Sequence, residues 1–275
     1  MKALRNIALG KYLAVHSPVH RLDPRTKLIA TLVLMVTAVQ CDHLAALMLF
    51  CGFVLVTARL ALLPWMLLLR NLRPFVWLIA FTMIMHGLMS PGDVVLRVPW
   101  TDLGFSYGGL RLGAFFSLRL AVIVSLASLL TLTTSPIEIT DGLERLLNPL
   151  RRFGFPAHEL AMMVTIALRF IPVLIEEADR LHKAQLARGA DFSGGPIRRA
   201  RQLLPLLVPL FLSAFARADR LAVAMESRCY RGGVGRTNFR LLALGWGDAR
   251  AALAVGTVVA VTVYLQLLPS FEIGA

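Results

Sequence analysis

The stretch Leu110–Thr134, LRLGAFFSLRLAVIVSLASLLTLTT, contains 25 residues and only two charges, Arg111 and Arg119. As an α-helix it would extend about 37 Å, which exceeds the ~30 Å hydrocarbon core of a bilayer. The whole chain has the same character, because 57% of its residues are hydrophobic and its mean hydropathy is +0.69. This is more apolar than an ordinary soluble domain. The sequence therefore predicts an all-α, polytopic membrane protein.

The apolar runs predict about five membrane-spanning helices. Asp23 is a good N-cap and Pro24 suits the first helical position, so the first span begins here. Arg25 and Lys27 are expected to reach the lipid headgroups while the helix continues into lipid. One helix through the first two apolar runs would be about 50 Å long, too long for one crossing, so two helices are expected. The predicted spans are 24–41, 44–59, 75–89, 110–134 and 251–268, the last within a segment 241–268.

Two connecting segments carry further expectations. Residues 64–74, PWMLLLRNLRP, combine apolar residues with two arginines and a tryptophan, which predicts an interfacial helix. Residues 90–109 are rich in Gly, Pro and Asp, which predicts a loop. Residues 24–134 thus form a block of four spans with one interfacial helix.

The basic residues predict the orientation. The formal net charge is +13, and 25 of the 29 Lys and Arg residues lie in segments 1–27, 59–73 and 135–240. With five spans these segments fall on one side of the membrane. The positive-inside rule then places the N-terminal segment 1–23 and the region 135–240 in the cytoplasm, with the tail 269–275 outside. Topology therefore accounts for the basic excess, and no nucleic-acid partner is expected.

The region 135–240 predicts long helices that stay in the cytoplasm, since no run in it is both long enough and uncharged enough to cross. Ser135 and Glu138 form a capping-box pattern for a first helix, which Gly154 ends. A second helix carries an apolar stripe, a proline at 172 that should kink it, and a polar face. A third begins near Pro196 and contains two prolines in its apolar half. The expected ion pairs of the second helix are Glu176 with Arg180 and Asp179 with Lys183.

Both long helices end with an arginine between small residues. The second helix ends at Ala187, Arg188 and Gly189, and the third at Ser227, Arg228 and Cys229. One such end is explained by C-capping, because a cation complements the helix dipole and glycine stops the helix. Two ends on one side of a membrane protein favour docking, since a guanidinium offers forked donors to carboxylates or carbonyls in a groove.

Three motifs resemble one family, the transmembrane T component of energy-coupling-factor (ECF) transporters. They are HRLDPRTKL at 20–28, AQLARGADF at 184–192 and AMESRCYRGG at 224–233, and the resemblance covers essentially the whole chain. It implies a membrane subunit of a bacterial inner-membrane importer for a vitamin or a transition-metal ion. It also implies long coupling helices crossed in an X. Many relatives have Gly or Ala where this chain has Cys229.

The resemblance also implies the partners. Arg188 and Arg228, with their small neighbours, would each dock on one of two ABC-type ATPase subunits, which hold ATP and Mg. The chain itself would be neither an enzyme nor a cofactor carrier, and it contains no GxxxxGK[ST] phosphate-binding loop. A membrane-embedded substrate-binding protein, the S component, is the third partner. Its expected contacts lie on apolar faces in 160–175 and 203–215 that could instead meet the membrane surface, and they include Leu160, Met163, Val164, Leu203 and Leu207.

Two other function classes fit the sequence less well. A self-sufficient secondary transporter, the alternative, needs ionisable groups near the membrane midplane, where the predicted spans offer only His86 and Arg119. Arg119 either faces the bundle with a carbonyl partner or reaches a headgroup. A membrane-embedded enzyme needs clustered acids or an activated nucleophile, and Asp93 and Asp102 form no such cluster in the sequence. The sequence does not identify the transported substrate.

Overall fold

The computed structural model describes residues 12–13, 15–89, 94–97, 104–189, 195–232 and 244–267. They belong to two compact units. The bundle unit lies within Lys11–Gly142 and Leu242–Ala275, and the long-helix unit includes Leu143–Leu241. The described residues are predominantly helical, which confirms the predicted fold class.

Among the described residues, the bundle unit contains six helices and the start of a seventh. They are α1 (Pro24–Val39), α2 (Leu44–Leu60), α3 (Trp65–Leu72), α4 (Val76–Met89), α5 (Tyr107–Thr133), the start of α6 (Pro136–Leu147) and α9 (Trp246–Leu267). Two short strands, β1 (Val94–Arg97) and β2 (Gly104–Ser106), pair antiparallel between α4 and α5. Residues 90–109 were predicted as a loop, and the strands and the first turn of α5 differ from that prediction. The buried apolar core is centred on α1, α2 and α5.

The long-helix unit contains two helices of 31 residues each. The elements are a 3₁₀ segment (Asn148–Phe153), α7 (Ala157–Ala187) and α8 (Pro196–Glu226). Both run on through internal prolines, Pro172 in α7 and Pro205 and Pro209 in α8. Gly154, at φ +81°, stops the chain where the sequence predicts, but it ends the 3₁₀ segment, because the α-helix expected to reach it, α6, already ends at Leu147.

The predicted spans need two corrections. The interfacial helix expected at 64–74 is joined to the next span, because a 3₁₀ turn at Arg73–Phe75 carries the chain around Pro74 from α3 into α4. The expectation that no helix in 135–240 could cross a membrane is also wrong, because α7 is long enough and apolar enough to do so. Its charges concentrate after residue 175, which leaves the first half apolar. The helices that qualify among the described residues are Trp65–Met89, Tyr107–Thr133, Ala157–Ala187 and Trp246–Leu267, with Leu44–Leu60 as a shorter apolar helix.

Two predicted helix starts are confirmed in atomic detail. Asp23 accepts a hydrogen bond from the backbone N–H of Arg25 at 2.9 Å, with Pro24 in the first turn of α1. Ser135 and Glu138 form a reciprocal capping box, with backbone-to-side-chain distances of 3.2 and 3.3 Å. Each cap satisfies N–H groups that the helix itself leaves free.

α4 and α5 pack closely because Gly109 and Gly113 lie on the face of α5 that meets α4. A Cβ atom on Gly113 would lie 2.9 Å from the carbonyl oxygen of Met83, so a larger residue there would push the helices apart. Further along, the Ser117 hydroxyl donates to the carbonyl of Ile79 at 3.2 Å. These contacts fix α4 beside the first half of α5.

A buried lysine connects the end of α5 to the start of α1. Lys27 is only 6% exposed. Its ammonium donates hydrogen bonds to the carbonyl oxygens of Thr133 at 3.0 Å and His20 at 3.1 Å. Lys27 therefore lies inside the protein, and the expectation that it reaches the headgroups is wrong. Carbonyl acceptors within reach make burial of the ammonium less costly than exposure to lipid.

A carboxylate joins α9 to the same point. The backbone N–H of Asp23 donates to Asp248 at 2.8 Å, and the N–H of Gly245 donates to the other oxygen of that carboxylate at 2.9 Å. We call Asp23, Lys27, Thr133 and Asp248 the charged anchor. It fixes the adjoining ends of α1, α5 and α9.

The ring of His20 belongs to the surroundings of this anchor. Its Nδ1 lies 2.7 Å from the Ser17 hydroxyl oxygen. Burial lowers the pKa of His20, and the positive charge of Lys27 lowers it further. The ring is therefore neutral near pH 7, which avoids placing a second cation beside the lysine.

The opposite end of α1 is held by Arg119 of α5. The guanidinium donates to the carbonyl of Cys41 and lies 3.1 Å from the carboxylate of Asp42. It also lies over the rings of Phe115 and Phe116, 4.8 and 4.9 Å from their centroids, a cation–π geometry. Arg119 thus faces the bundle with a carbonyl partner, which resolves the two alternatives. Beside it, the Gln266 amide of α9 donates to the carbonyl of Gln40 at 2.6 Å.

Replacement of Lys27 by Met should destabilise the bundle unit by about 3 kcal/mol, since it leaves buried carbonyls and nearby carboxylates without their cation. The control is Arg25→Met in the same helix turn. Arg25 lies 3.8 Å from Asp23 and is partly exposed, so its loss should cost less than about 1 kcal/mol. Unfolding of both variants in detergent, titrated with SDS, measures the difference. Equal destabilisation by the two substitutions would contradict the anchor.

Candidate functional site

The tip of α7 ends on backbone hydrogen bonds. The N–H of Arg188 donates to the carbonyls of Ala184 and Gln185 at 3.2 and 3.1 Å, and the N–H of Gly189 donates to Leu186 at 3.0 Å. Gly189 has φ +84°, a left-handed conformation that glycine adopts without strain. The predicted glycine stop is therefore confirmed.

The tip of α8 shares with that of α7 the left-handed residue and the hydrogen bond from its N–H to the carbonyl three positions back. The N–H of Cys229 donates to the carbonyl of Glu226 at 2.9 Å, and the N–H of Tyr230 donates to Met225 at 3.1 Å. These two bonds are the pair that defines a Schellman motif. Cys229 occupies the left-handed position with φ +56°, where the first tip has glycine. A cysteine performs here the turn that glycine usually makes.

The two arginines occupy equivalent positions, each directly before the left-handed residue. Ala187, Arg188, Gly189, Ser227, Arg228 and Cys229 are all exposed. The helix ends are capped by backbone N–H groups, and the structure shows no hydrogen bond or ion pair from either guanidinium to another described residue. Capping and docking are therefore compatible. Backbone N–H groups cap the helix ends, and the arginine side chains are left for docking.

The expected apolar faces are present on α7 and α8. Each of the five expected contact residues is exposed by more than two-fifths, and Met163 by 59%. On α8 the exposed apolar surface continues at helical spacing as far as Phe215. The exposed residues of these two faces are Leu160, Met163, Val164, Ile171, Leu203, Leu204, Leu207, Val208, Phe211, Leu212 and Phe215. We call this set the apolar faces.

The polar side of α7 matches one of its two predicted ion pairs. Lys183 lies 2.7 Å from Asp179, as predicted. Arg180 instead pairs with Glu177 at 2.7 Å, so the predicted partner Glu176 is wrong. Residues three and four positions apart both share a helix face, and the sequence alone does not choose between them. One further pair was not predicted from the sequence: near the start of α7, His158 lies 2.7 Å from Glu144.

The predicted entry motif has a structural place in the bundle unit. Asp23 and Pro24 begin α1, Lys27 belongs to the charged anchor, and Arg25 lies at the edge of that anchor. Sequence reasoning identified these residues but assigned the two cations to the lipid surface. The partner of Asp23, Asp248, was missed because it lies more than 200 residues away in the sequence.

Comparison with known proteins gives consistent matches over nearly the whole chain. The family model described as "CbiQ: Cobalt transport protein" matches residues 16–239. A protein of Acidaminococcus fermentans is 47% identical over 264 residues, covering 96% of this chain and 98% of its own length. Proteins of Heliobacterium modesticaldum (49% identical, 93% and 96% covered) and Bacillus subtilis (43%, 95% and 98%) are similar.

All three relatives carry the name "Energy-coupling factor transporter transmembrane protein EcfT". The family model and these identities agree with the three motifs and with the helical, multi-span architecture. The chain belongs to the family of transmembrane T components of energy-coupling-factor transporters.

Proposed function

We propose that this chain couples ATP hydrolysis in two partner subunits to substrate movement in a third. In this proposal Arg188 and Arg228 each dock in a groove of one ABC-type ATPase subunit, on the cytoplasmic side of a bacterial inner membrane. The S component carries the substrate, a vitamin or a transition-metal ion. The observation that supports the proposal is the matched geometry of the two tips, each with an exposed arginine before a left-handed residue.

The chemistry of the tips suits docking. A guanidinium binds carboxylates and carbonyls through several donors in a fixed plane, and small neighbours allow the helix end to enter a groove. The helices themselves are 31 residues long, so each extends about 46 Å. A helix of this length can transmit a displacement of its tip to residues far along it.

The substitutions Arg188→Glu and Arg228→Glu together should detach the ATPase subunits and abolish ATP-driven uptake. Each buried arginine at an interface centre contributes roughly 2 kcal/mol or more, about 30-fold in affinity. Pull-down of the ATPase subunits from membranes and uptake into proteoliposomes measure the two effects. The membrane part should remain folded, since neither side chain supports it.

Arg220→Glu is the matched control, because Arg220 is an exposed arginine of α8 that lies before the tip. It should leave pull-down and uptake near the level of the unsubstituted protein. Unchanged pull-down and uptake in the double variant would show that the tips are not the docking sites.

Cys229 gives a second test of the tip geometry. A residue with a side chain pays about 1 kcal/mol or more in the left-handed region, and a β-branched residue pays most. Cys229→Gly should therefore keep or strengthen ATPase binding, whereas Cys229→Val should weaken it by disturbing the turn that presents Arg228. Both are measured as dissociation constants of the purified complex. Equal binding by the Gly and Val variants would mean that this turn is not part of the contact.

The apolar faces support a partner for the flanks of α7 and α8. A continuous apolar surface of this extent is unfavourable in water, so it is covered by another protein or by lipid. We propose the S component as its partner. The residues that would make the contact include Leu160, Met163, Val164, Leu203 and Leu207.

A photoreactive amino acid at position 163 or 207 should crosslink to the S component in membranes containing the whole complex. The matched control places it at Asp219, an exposed polar position of α8, where far less crosslinking is expected. Crosslinks at 163 and 207 to lipid alone would assign the faces to the membrane surface instead.

A further inference from the structure

The two helices of the first hairpin in the bundle unit are short. α1 has 16 residues and α2 has 17, which correspond to about 24 and 26 Å. Both lengths fall below the ~30 Å hydrocarbon core of a typical bilayer. The turn that joins them, Gln40–His43, is polar.

α5 extends well beyond that turn. The charged anchor aligns the ends of α1 and α5, since Lys27 reaches the carbonyl of Thr133. At the other end Arg119 contacts Cys41 and Asp42, which places the turn level with Arg119. From Arg119 the helix continues to Tyr107, about 18 Å further. The bundle unit therefore has a step of this height between the hairpin and the outer part of α5.

The two sides of the step have apolar surfaces of different height. On the hairpin, exposed apolar residues continue up to the turn and then stop, with Leu32 64%, Val36 50% and Val39 55% exposed. On α4, which packs beside the outer part of α5, exposed apolar residues continue past the level of the turn, at Phe81, Ile84 and Met89. Lipid chains that cover both surfaces must end at different heights.

Asp42 makes the step incompatible with a bilayer of uniform thickness. Its side chain is 83% exposed although it pairs with Arg119. A charged side chain at hydrocarbon depth costs about 2.5 kcal/mol or more. Water and headgroups avoid that cost, and the turn offers them a carboxylate, an amide and an imidazole at Asp42, Gln40 and His43.

We propose that lipid headgroups and water reach the turn Gln40–His43, so that the bilayer leaflet on this side is locally thinner beside α1 and α2 than beside α4. The occupant is lipid because the apolar surface of the hairpin ends at the turn all along its exposed side, as at an ordinary membrane boundary. A leaflet adapts to a short helix by thinning at a modest cost per ångström. The proposal depends on the membrane placement of the bundle unit and not on the docking of Arg188 or Arg228.

Cysteine labelling in vesicles that contain the whole complex tests the proposal. In a background with Cys51→Ala and Cys229→Gly, and with the buried Cys41 retained, a membrane-impermeant maleimide is added to both faces of the membrane. The probe Gln40→Cys leaves the anchoring contacts in place, because Gln40 accepts from Gln266 through its backbone carbonyl. Asp42→Cys is a second probe at the same level.

The matched control is Phe81→Cys on α4. The contact between Ser117 and Ile79 sets the register and places position 81 about 6 Å nearer the outer end than Arg119. In a flat bilayer the control would therefore be the more accessible site. The proposal expects the reverse, with Gln40→Cys labelled at least roughly ten-fold faster than Phe81→Cys. Detergent should remove this difference.

Three results would overturn the proposal. Equal labelling rates at positions 40 and 81 would show that the outer part of α4 is exposed to water. Labelling of neither turn position before detergent is added would show that no headgroup region reaches the turn. Labelling of the turn in the isolated chain but not in the complex would make a partner protein the occupant.

Discussion

The bundle unit depends on one buried cation. The ammonium of Lys27 lies between two backbone carbonyls and near three carboxylates, of Glu138, Asp248 and Asp23. Such a group is stable only where its partners converge, and it is costly if any of them moves. Its position therefore fixes the relative height of α1, α5 and α9. Everything above it, including the level at which Arg119 meets the turn after α1, follows from that alignment and the helix rise.

The tips of the long helices show how one sequence feature can have two roles. An arginine and a glycine at a helix end suggest capping, and the capping is present, but backbone N–H groups make it. The arginine side chain is then available for other partners. The second tip reaches the same backbone form with a cysteine, at a conformational cost that glycine would avoid. Cys229 adopts the left-handed conformation despite this cost, which supports a requirement for that backbone turn at the tip.

Local chemistry was predictable from the sequence, and long-range partners were not. The N-caps at Asp23 and Ser135, the stop at Gly189 and the pair of Asp179 with Lys183 all depend on residues within a few positions of each other. Lys27 was assigned to the headgroups because the carbonyl of Thr133 lies 106 positions away. The joining of α3 to α4 was missed because Pro74 suggests a break, whereas a short 3₁₀ turn absorbs it. The three motifs supplied the family, which no local pattern could have done.

The internal prolines of the long helices divide each of them mechanically. Each proline removes one backbone hydrogen bond and makes the helix easier to bend at that point. The last proline before the tip is Pro172 in α7 and Pro209 in α8, and the stretches beyond them to Arg188 and Arg228 measure about 24 and 28 Å. The two helices therefore end in stiff arms of nearly equal length. A force applied at either arginine acts as a torque on the backbone near the proline. The lever arm has nearly the same length in α7 and α8.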